Sequence, residues 1–236
     1  MSVFKTNVTV DIHDVDFNGV ARFSSLMRYI QTAAQSQLTE NGLSYDELKE
    51  KKRAFILSRI KIEFDEPVRA YDRLEAVSFP CHSRGFSFLR CYQLGKNGFN
   101  IGRAASVWAL VNTDTRALVR VNDMELGLTT EDPLELTVHH FALPSEMSAV
   151  GTYSVNYGDT DQNRHMNNTR YPDMYSNFLP LDGKRIRSMS IAYMNEAPLG
   201  DKLTVERAFF DGRYYFRTLR SDGEVNTEAE IELTDI

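Results

Sequence analysis

Two stretches of this chain carry one pattern, and that repetition limits the folds open to it. Val10-Asp-Ile-His-Asp14-Val-Asp16-Phe-Asn18-Gly-Val20 stands near the start, and Val155-Asn-Tyr-Gly-Asp159-Thr-Asp161-Gln-Asn163-Arg-His165 stands 145 positions later. Each places Asp-x-Asp-x-Asn after a short apolar run and before a helical pattern. In the first, Phe23, Leu26, Met27, Ile30, Ala34 and Leu38 recur at helical spacing. In the second, Tyr171, Met174, Tyr175 and Phe178 fall at i, i+3, i+4 and i+7. Strand signals follow in both copies. Ile56, Ser58, Ile60, Ile62 and Phe64 alternate with Leu57, Arg59, Lys61 and Glu63, as Met189, Ile191 and Tyr193 do later. Then come a proline (Pro67, Pro198), Asp-x-Leu (Asp72, Asp201), a run opened by Gly85 or Gly212, and a final long strand near 104–111 or 227–233. The separation of matched points falls from 145 to 127 residues, so the first copy is the longer. Much of its excess is a second helix, announced by the capping box Ser44-x-x-Glu47 with Leu43 and Leu48 as a hydrophobic staple.

A strand, a helix and then several antiparallel strands predict an α+β fold with the helix packed on one sheet. A sheet wrapped around a central helix is the hotdog arrangement. Two copies predict a tandem, or double, hotdog whose sheets join edge to edge. The expected division is a first copy over 1–130, a polar linker with Pro133 and Pro144 over 131–148, and a second copy over 149–236.

Composition narrows the function. The 236 residues include 27 Lys and Arg against 33 Asp and Glu, a net charge of −6, which argues against nucleic acid as a main partner. The longest uncharged, mostly apolar stretch, Ala104 to Val111, is far short of the roughly 20 residues a membrane span needs. No apolar signal region lies between Lys5 and Asp11, and Cys81 and Cys91 read as two free thiols on neighbouring strands. The expected location is therefore cytoplasmic.

The difference between the copies is where chemistry is expected. His165 of the second copy is replaced by Val20 in the first, and Asn167 by Arg22. Acid–base chemistry at this place should belong to the second copy, leaving the first to offer apolar surface to a hydrophobic tail. Asn167 or Asn168 is a suitable N-cap for the helix bearing Tyr171, and Pro172 fits its first turn. His165 would then precede a helix start, whose unpaired N–H groups can hold an oxyanion. In an extended segment Asp161, Asn163 and His165 would share one wall. Asp-x-Asp-x-Asn is also ordinary turn chemistry, and Asp14, Asp16 and Asn18 repeat it without a histidine. His13, His82, His139 and His140 have no such company and read as bystanders.

The run Asp161-x-Asn163-x-His165-Met-Asn167-Asn168-x-x-Tyr171 resembles the signature of acyl-acyl-carrier-protein thioesterases. Trp108-Ala-Leu-Val-Asn-Thr-Asp-Thr-Arg116 and the helix Leu26-Met-Arg-Tyr-Ile-Gln31-x-x-Ala34 are similar to further segments of that family. The resemblance implies a double hotdog that hydrolyses fatty acyl thioesters of acyl carrier protein. It implies catalytic roles for Asp161, Asn163 and His165, and for Glu196 in Tyr193-Met-Asn-Glu196-Ala197. Ala197 stands where many plant members have cysteine, so a cysteine–histidine nucleophile cannot operate here. Glu66-Pro67 in the first copy leaves open that a glutamate at this place is a structural habit.

The expected mechanism has Glu196 as general base on water in a network with His165, has Asn163 and backbone N–H groups holding the oxyanion, and has Asp161 orienting the network or sharing the proton, with the division between the two carboxylates left open by the sequence. Neither a metal nor a cofactor is implied, because no ligand cluster or phosphate-binding fingerprint is present in the sequence. Phe23, Met27 and Ile30 are candidates to line the acyl slot. The partner would be an acidic carrier protein, docked on Lys184-Arg185-x-Arg187 or on Lys49-x-Lys51-Lys52-Arg53. Hotdogs often pair, so a homodimer is open, although the double copy already supplies one pairing. The alternatives are an acyl-CoA thioesterase with Asp161 as base and a non-catalytic acyl-binding hotdog. A hotdog dehydratase is disfavoured, since His140-Phe-Ala-Leu-Pro144 is a poor substitute for its His-Phe-Pro stretch.

Overall fold

The computed structural model describes residues 2–123, 127–138 and 140–236. The first copy runs β1 (Phe4–Thr9), α1 (Phe23–Glu40), α2 (Tyr45–Glu50), β2 (Arg53–Phe64), β3 (Arg73–Pro80), β4 (Ser87–Lys96), β5 (Phe99–Asn112) and the short β6 (Leu118–Val119). The second runs β7 (Ser148–Ser154), α3 (Tyr171–Ser176), β8 (Lys184–Tyr193), β9 (Lys202–Phe210), β10 (Arg213–Leu219) and β11 (Val225–Asp235). Among the described residues these strands form one 11-stranded antiparallel sheet in the order β1-β3-β4-β5-β2-β8-β11-β10-β9-β7, with β6 added to β5. The order reads the same from either end once the copies are matched, which is the double hotdog.

The halves meet where β2 pairs with β8. Ile60 lies opposite Ile191, and Ile62 opposite Met189. Backbone bonds match the copies residue by residue: Ala21 N–H donates to Val68 O (2.7 Å) as Met166 N–H donates to Ala197 O (2.8 Å). Val68 thus corresponds to Ala197, and the same offset makes Ile60 correspond to Met189 and Ile62 to Ile191. The two cross-strand pairs are images of one another, and a pseudo-two-fold axis passes through the Lys61–Ser190 pair.

The inner face of the sheet wraps α1 and α3 in one continuous core. Met27, Ile30, Ile60, Ile62, Met174, Tyr175, Ile191 and Phe216 are all buried in it. The amphipathic spacing of α1 accounts for its buried side, whereas α3 is shorter than its pattern suggested, and Phe178 lies beyond its end. The alternation along β2 changes phase at a bulge between Leu57 and Arg59. Leu57 is therefore the inward residue, 2 % exposed, and Ile56 faces out at 41 %. The segment after residue 130 is more than a tether. Leu136 is buried against Val77, Phe79, Cys81, Cys91 and Ala105 on the outer face of the first half of the sheet. Cys81 and Cys91 are free and buried there.

Gly102 on β5 lets the Phe64 ring lie directly on the strand. A Cβ there would stand 2.1 Å from Phe64 Cδ1, and the Phe64 ring makes an edge contact with Phe23 of α1 (centroids 5.6 Å apart). Gly102→Ala forces that ring out of a packed core and should lower stability by about 1–3 kcal/mol. Urea denaturation measures the loss; an unchanged midpoint would show that the core yields without cost.

Candidate active site

The repeated motif folds into the same turn twice, and in neither copy is it extended. Asp161 N–H donates to His165 O (3.0 Å), and Arg164 N–H to Asp161 O (2.9 Å). In the first copy Asp16 N–H donates to Val20 O (2.8 Å), and Gly19 N–H to Asp16 O (3.0 Å). Asp161 Oδ1 accepts from Asn163 N–H (2.8 Å), as Asp16 Oδ1 accepts from Asn18 N–H (2.9 Å). Part of what Asp161 does is therefore what Asp16 does: it closes the turn. The fourth residue has positive φ in both, +65° at Arg164 and +70° at Gly19, and a non-glycine residue there adopts a conformation that is ordinarily costly.

His165 and Glu196 meet although they are distant in sequence. His165 Nδ1 and Glu196 Oε2 are 3.2 Å apart, with both side chains partly exposed. His165 also forms a backbone bridge to Pro198. The loop carrying Glu196 is pinned by the buried Asn226, whose carbonyl accepts from Met194 N–H (2.9 Å) and Asn195 N–H (3.1 Å) and whose amide donates to Asn195 O and to Tyr171 Oη (3.0 Å). Burial, then the charges of Asp201 and Glu196, push the Tyr171 phenol up to about 12, so it stays neutral in the physiological range. The backbone match also decides the doubt about Glu66. Since Val68 corresponds to Ala197, Glu196 takes the place of Pro67, and Glu66 takes that of Asn195. The glutamate facing His165 has no counterpart in the first copy.

The two asparagines of the repeated turn have different tasks. Asn18 Nδ2 donates to Leu181 O (2.6 Å) and Lys184 O (3.1 Å), tying the first copy's turn to the second copy's backbone. Asn163 Oδ1 instead accepts from the Tyr45 hydroxyl (3.1 Å) on α2. That bond directs the amide nitrogen, a donor, away from α2. Tyr45 was not singled out in the sequence; its only signal is its place in the helix that the second copy lacks.

Asp161 and Asn163 stand at the wall of the main cavity, about 730 Å³, between the sheet of the first copy and the long helix α1. Phe55, Phe88, Trp108, Leu38 and Leu48 supply apolar lining. This is the size range of small-molecule sites. The slot does not use Phe23, Met27 or Ile30, which lie in the core; α1 turns its next face, Arg28, Gln31, Thr32 and Gln35, to the cavity. His165 and Glu196 are not part of the cavity lining. Among the described residues, no hydrogen bond joins the Asp161 carboxylate to the imidazole. The expected group is thus brought together as two pairs, Asp161 with Asn163 and His165 with Glu196, joined by the turn. A smaller cavity of about 380 Å³, lined by Asp16, Val20 and Pro67 beside α3, occupies the pseudo-symmetric position.

Several expectations change here. Asn167 caps a single 3₁₀ turn that precedes α3, accepting from Thr169 N–H (2.9 Å), while Arg170 N–H donates to Asn167 O (2.9 Å). The N–H groups of Thr169 and Arg170 are thereby taken up and do not hold an oxyanion. His82 reaches the cavity rim, with Nδ1 3.0 Å from Thr130 Oγ1. His140 lies against Arg59, and His139 is outside the described residues. The basic run 184–187 is not a free patch. Lys184 pairs with Asp235 and Arg187 with Glu232. Arg185, 8 % exposed, donates to Phe64 O (2.9 Å) and Asp65 O (2.6 Å) across the junction of the copies.

A tandem hotdog whose second copy sets a histidine against a glutamate, where the first has valine and proline, is the class that this fold and site define. A family model for the acyl-ACP thioesterase N-terminal domain matches residues 1–126, and one for the C-terminal domain matches residues 143–235. The chain belongs to the acyl-ACP thioesterase family. It is 21% identical over 215 residues to the chloroplastic palmitoyl-acyl carrier protein thioesterase of Arabidopsis thaliana, covering 82% of this chain and 52% of that one. It is 24% identical over 224 residues to the chloroplastic oleoyl-acyl carrier protein thioesterase 2 of the same plant, covering 84% and 60%. The chain thus spans between half and three fifths of the length of these curated relatives. The solved structure of an acyl-ACP thioesterase from Bacteroides thetaiotaomicron superposes with a TM-score of 0.87 at 23% identity, covering 99% of this chain and 98% of that one, and shows the same fold.

The position of Arg185 carries a prediction. Arg185→Glu places a carboxylate beside Asp65 and beside carbonyls that had received its N–H groups. It should cost about 3 kcal/mol of stability, read by thermal or urea unfolding, and a variant of wild-type stability would mean that the junction does not depend on this guanidinium.

Proposed function

We propose that this chain hydrolyses the thioester between a fatty acyl group and acyl carrier protein, releasing free fatty acid and the carrier's thiol, and so ends chain synthesis. The observation that carries the reading is the His165–Glu196 pair, 3.2 Å apart, in the copy whose turn walls the large cavity. In the first copy the same two places hold Val20 and Pro67. We read 1–130 as the degenerate copy that houses the acyl chain, 131–148 as the linker and 149–236 as the catalytic copy.

Glu196 Oε2 lies beside Nδ1 of His165, so Nε2 is the ring nitrogen facing away from the carboxylate and the one assigned to accept a proton. Glu196 then orients the ring and offsets the charge it gains. Water attacks the acyl carbon as its proton passes to Nε2; the tetrahedral oxyanion takes a hydrogen bond from Asn163 Nδ2; the carbon–sulfur bond breaks, and the imidazolium returns the proton to the leaving thiolate. Asp161 keeps the turn closed so that Asn163 faces this point. The exposed Glu196 carboxylate as the direct base on water, with His165 as its partner, is the second assignment that the same contact supports.

An acidic enzyme needs a local basic surface for an acidic carrier. With Arg185 buried, the better candidate is the end of α2. Lys49 and Lys51 are exposed and enter no ion pair among the described residues, and Tyr45 and Leu48 of this helix line the cavity. Two unbridged buried cysteines suit a reducing cytoplasm, and among the described residues no helix is long and apolar enough to cross a membrane. The pairing of β2 with β8 already supplies one hotdog partnership; a homodimer would be a second, which sedimentation can test.

His165→Ala should lower acyl-carrier-protein thioester hydrolysis at least about 10²-fold while the circular dichroism spectrum stays unchanged. Retained activity ends this mechanism. Charge reversal at both Lys49 and Lys51 should raise KM for the carrier-bound substrate roughly tenfold and spare the matching acyl-CoA. Equal effects on both thioesters would remove α2 as the docking site, and a wild-type preference for CoA would favour an acyl-CoA thioesterase. Acyl-chain binding without turnover would point to the non-catalytic alternative.

A further inference from the structure

The large cavity has unlike sides. Phe55, Phe88 and Trp108 make an apolar wall, and α1 faces them with Arg28, Gln31, Thr32 and Gln35 beside Ala34 and Leu38. Most of the polar groups nearby are satisfied. Trp108 Nε1 donates to Ser106 Oγ (2.7 Å), and Arg28 donates to Asp14 and Ser25. One donor there has no partner, and one buried charge has no counter-ion. Gln31 Nε2 is shut off from solvent and has no hydrogen-bond partner. The Arg90 guanidinium, 7 % exposed, donates through Nη1 to Gln37 Oε1 and Ser78 Oγ (2.7 Å each), and among the described residues no carboxylate stands within ion-pair distance of it. Burial pushes its pKa down, as expected for a charge without a counter-ion. Matched strand pairs (Tyr92 with Ala104, Phe216 with Ala229) put Tyr214 at the corresponding place in the second copy, so this charge belongs to the cavity-bearing copy alone.

A plain hydrocarbon chain in this cavity would seal both groups against methylenes. A buried donor left without an acceptor costs about 1–3 kcal/mol, and a buried charge costs more. Both groups donate, so what complements them is an acceptor oxygen on the ligand. We propose that the cavity selects acyl chains bearing an oxo or hydroxyl oxygen, which Gln31 Nε2 and the Arg90 guanidinium recognise. The identity of the ligand as an acyl chain rests on the thioesterase reading above; the demand for an acceptor rests on the cavity.

Binding separates the two. By calorimetry on the full chain, decanoate is compared with hydroxydecanoates carrying the hydroxyl either near the carboxylate or at the far end. At least one hydroxy acid should bind about tenfold tighter than decanoate, and the better of the two locates the donors along the chain. Gln31→Leu, a change that a half-exposed helical position tolerates, should weaken the hydroxy acid and tighten decanoate until the gap closes. Decanoate binding as tightly as both hydroxy acids, or a Gln31→Leu effect equal on all three, overturns the proposal. Turnover of the matching acyl-carrier-protein thioesters, the oxo forms included, gives the second readout. Selective binding with no hydrolysis of any thioester would refute the hydrolase reading and keep the inference. Hydrolysis that favours the plain chain would do the reverse.

Discussion

The antiparallel pairing of β2 with β8 is the contact on which the arrangement depends. It joins two half-sheets about an axis through Lys61 and Ser190. That operation lays the turn of each copy against the helix of the other. Residues 161–163 therefore wall a cavity whose remaining lining comes mostly from the first copy, and residues 16–20 wall the smaller one beside α3. Neither copy alone would hold both a polar turn and an enclosed slot. Arg185 and Asn18 reinforce the joint by donating across it to backbone carbonyls, bonds that hold orientation as well as contact.

The two copies share a backbone plan and differ in what they hold. The first copy has a helix of 18 residues and, in α2, a second helix that lines the cavity and supplies Tyr45 to hold Asn163. The second copy has a helix of six residues, and Tyr175 on it packs against Phe216. Its turn carries a histidine and its following loop a glutamate, where the first copy has an apolar residue and a proline. A shared backbone thus carries a histidine–glutamate pair on one side of the axis and a valine and a proline on the other. The cavity's polar lining adds a second asymmetry, because an uncompensated guanidinium is stable in a protein only where something other than hydrocarbon faces it.

Periodicity and turn chemistry are local, and they made the repeated unit, the helix beginning at Phe23, the capping box at Ser44 and the sheet-rich remainder legible along the chain. The same logic put Asp161, Asn163 and His165 together before the second helix, but along an extended wall, where the fold closes them into a turn. Other features depend on what a residue meets from far away. The bulge in β2 reversed the inward set at Ile56 and Leu57. The polar face of α1, which looks like any solvated helix surface, turned out to line the cavity, while the attractive apolar residues Met27 and Ile30 were spent on the core. Glu66 and Glu196 look equivalent beside their prolines, and only the backbone register distinguishes them.

The order of residues by itself determined that the chain is two hotdog halves with the histidine in one of them, because hydrophobic period, capping and turn preference are written within a few positions of each other. Folding decided that His165 faces Glu196, that Asn163 is held by Tyr45, and that Arg185 is interior rather than a docking charge. Those outcomes follow from strand register and from the pseudo-two-fold joint, which act between residues 31 to about 120 positions apart, beyond the range at which a local pattern carries information.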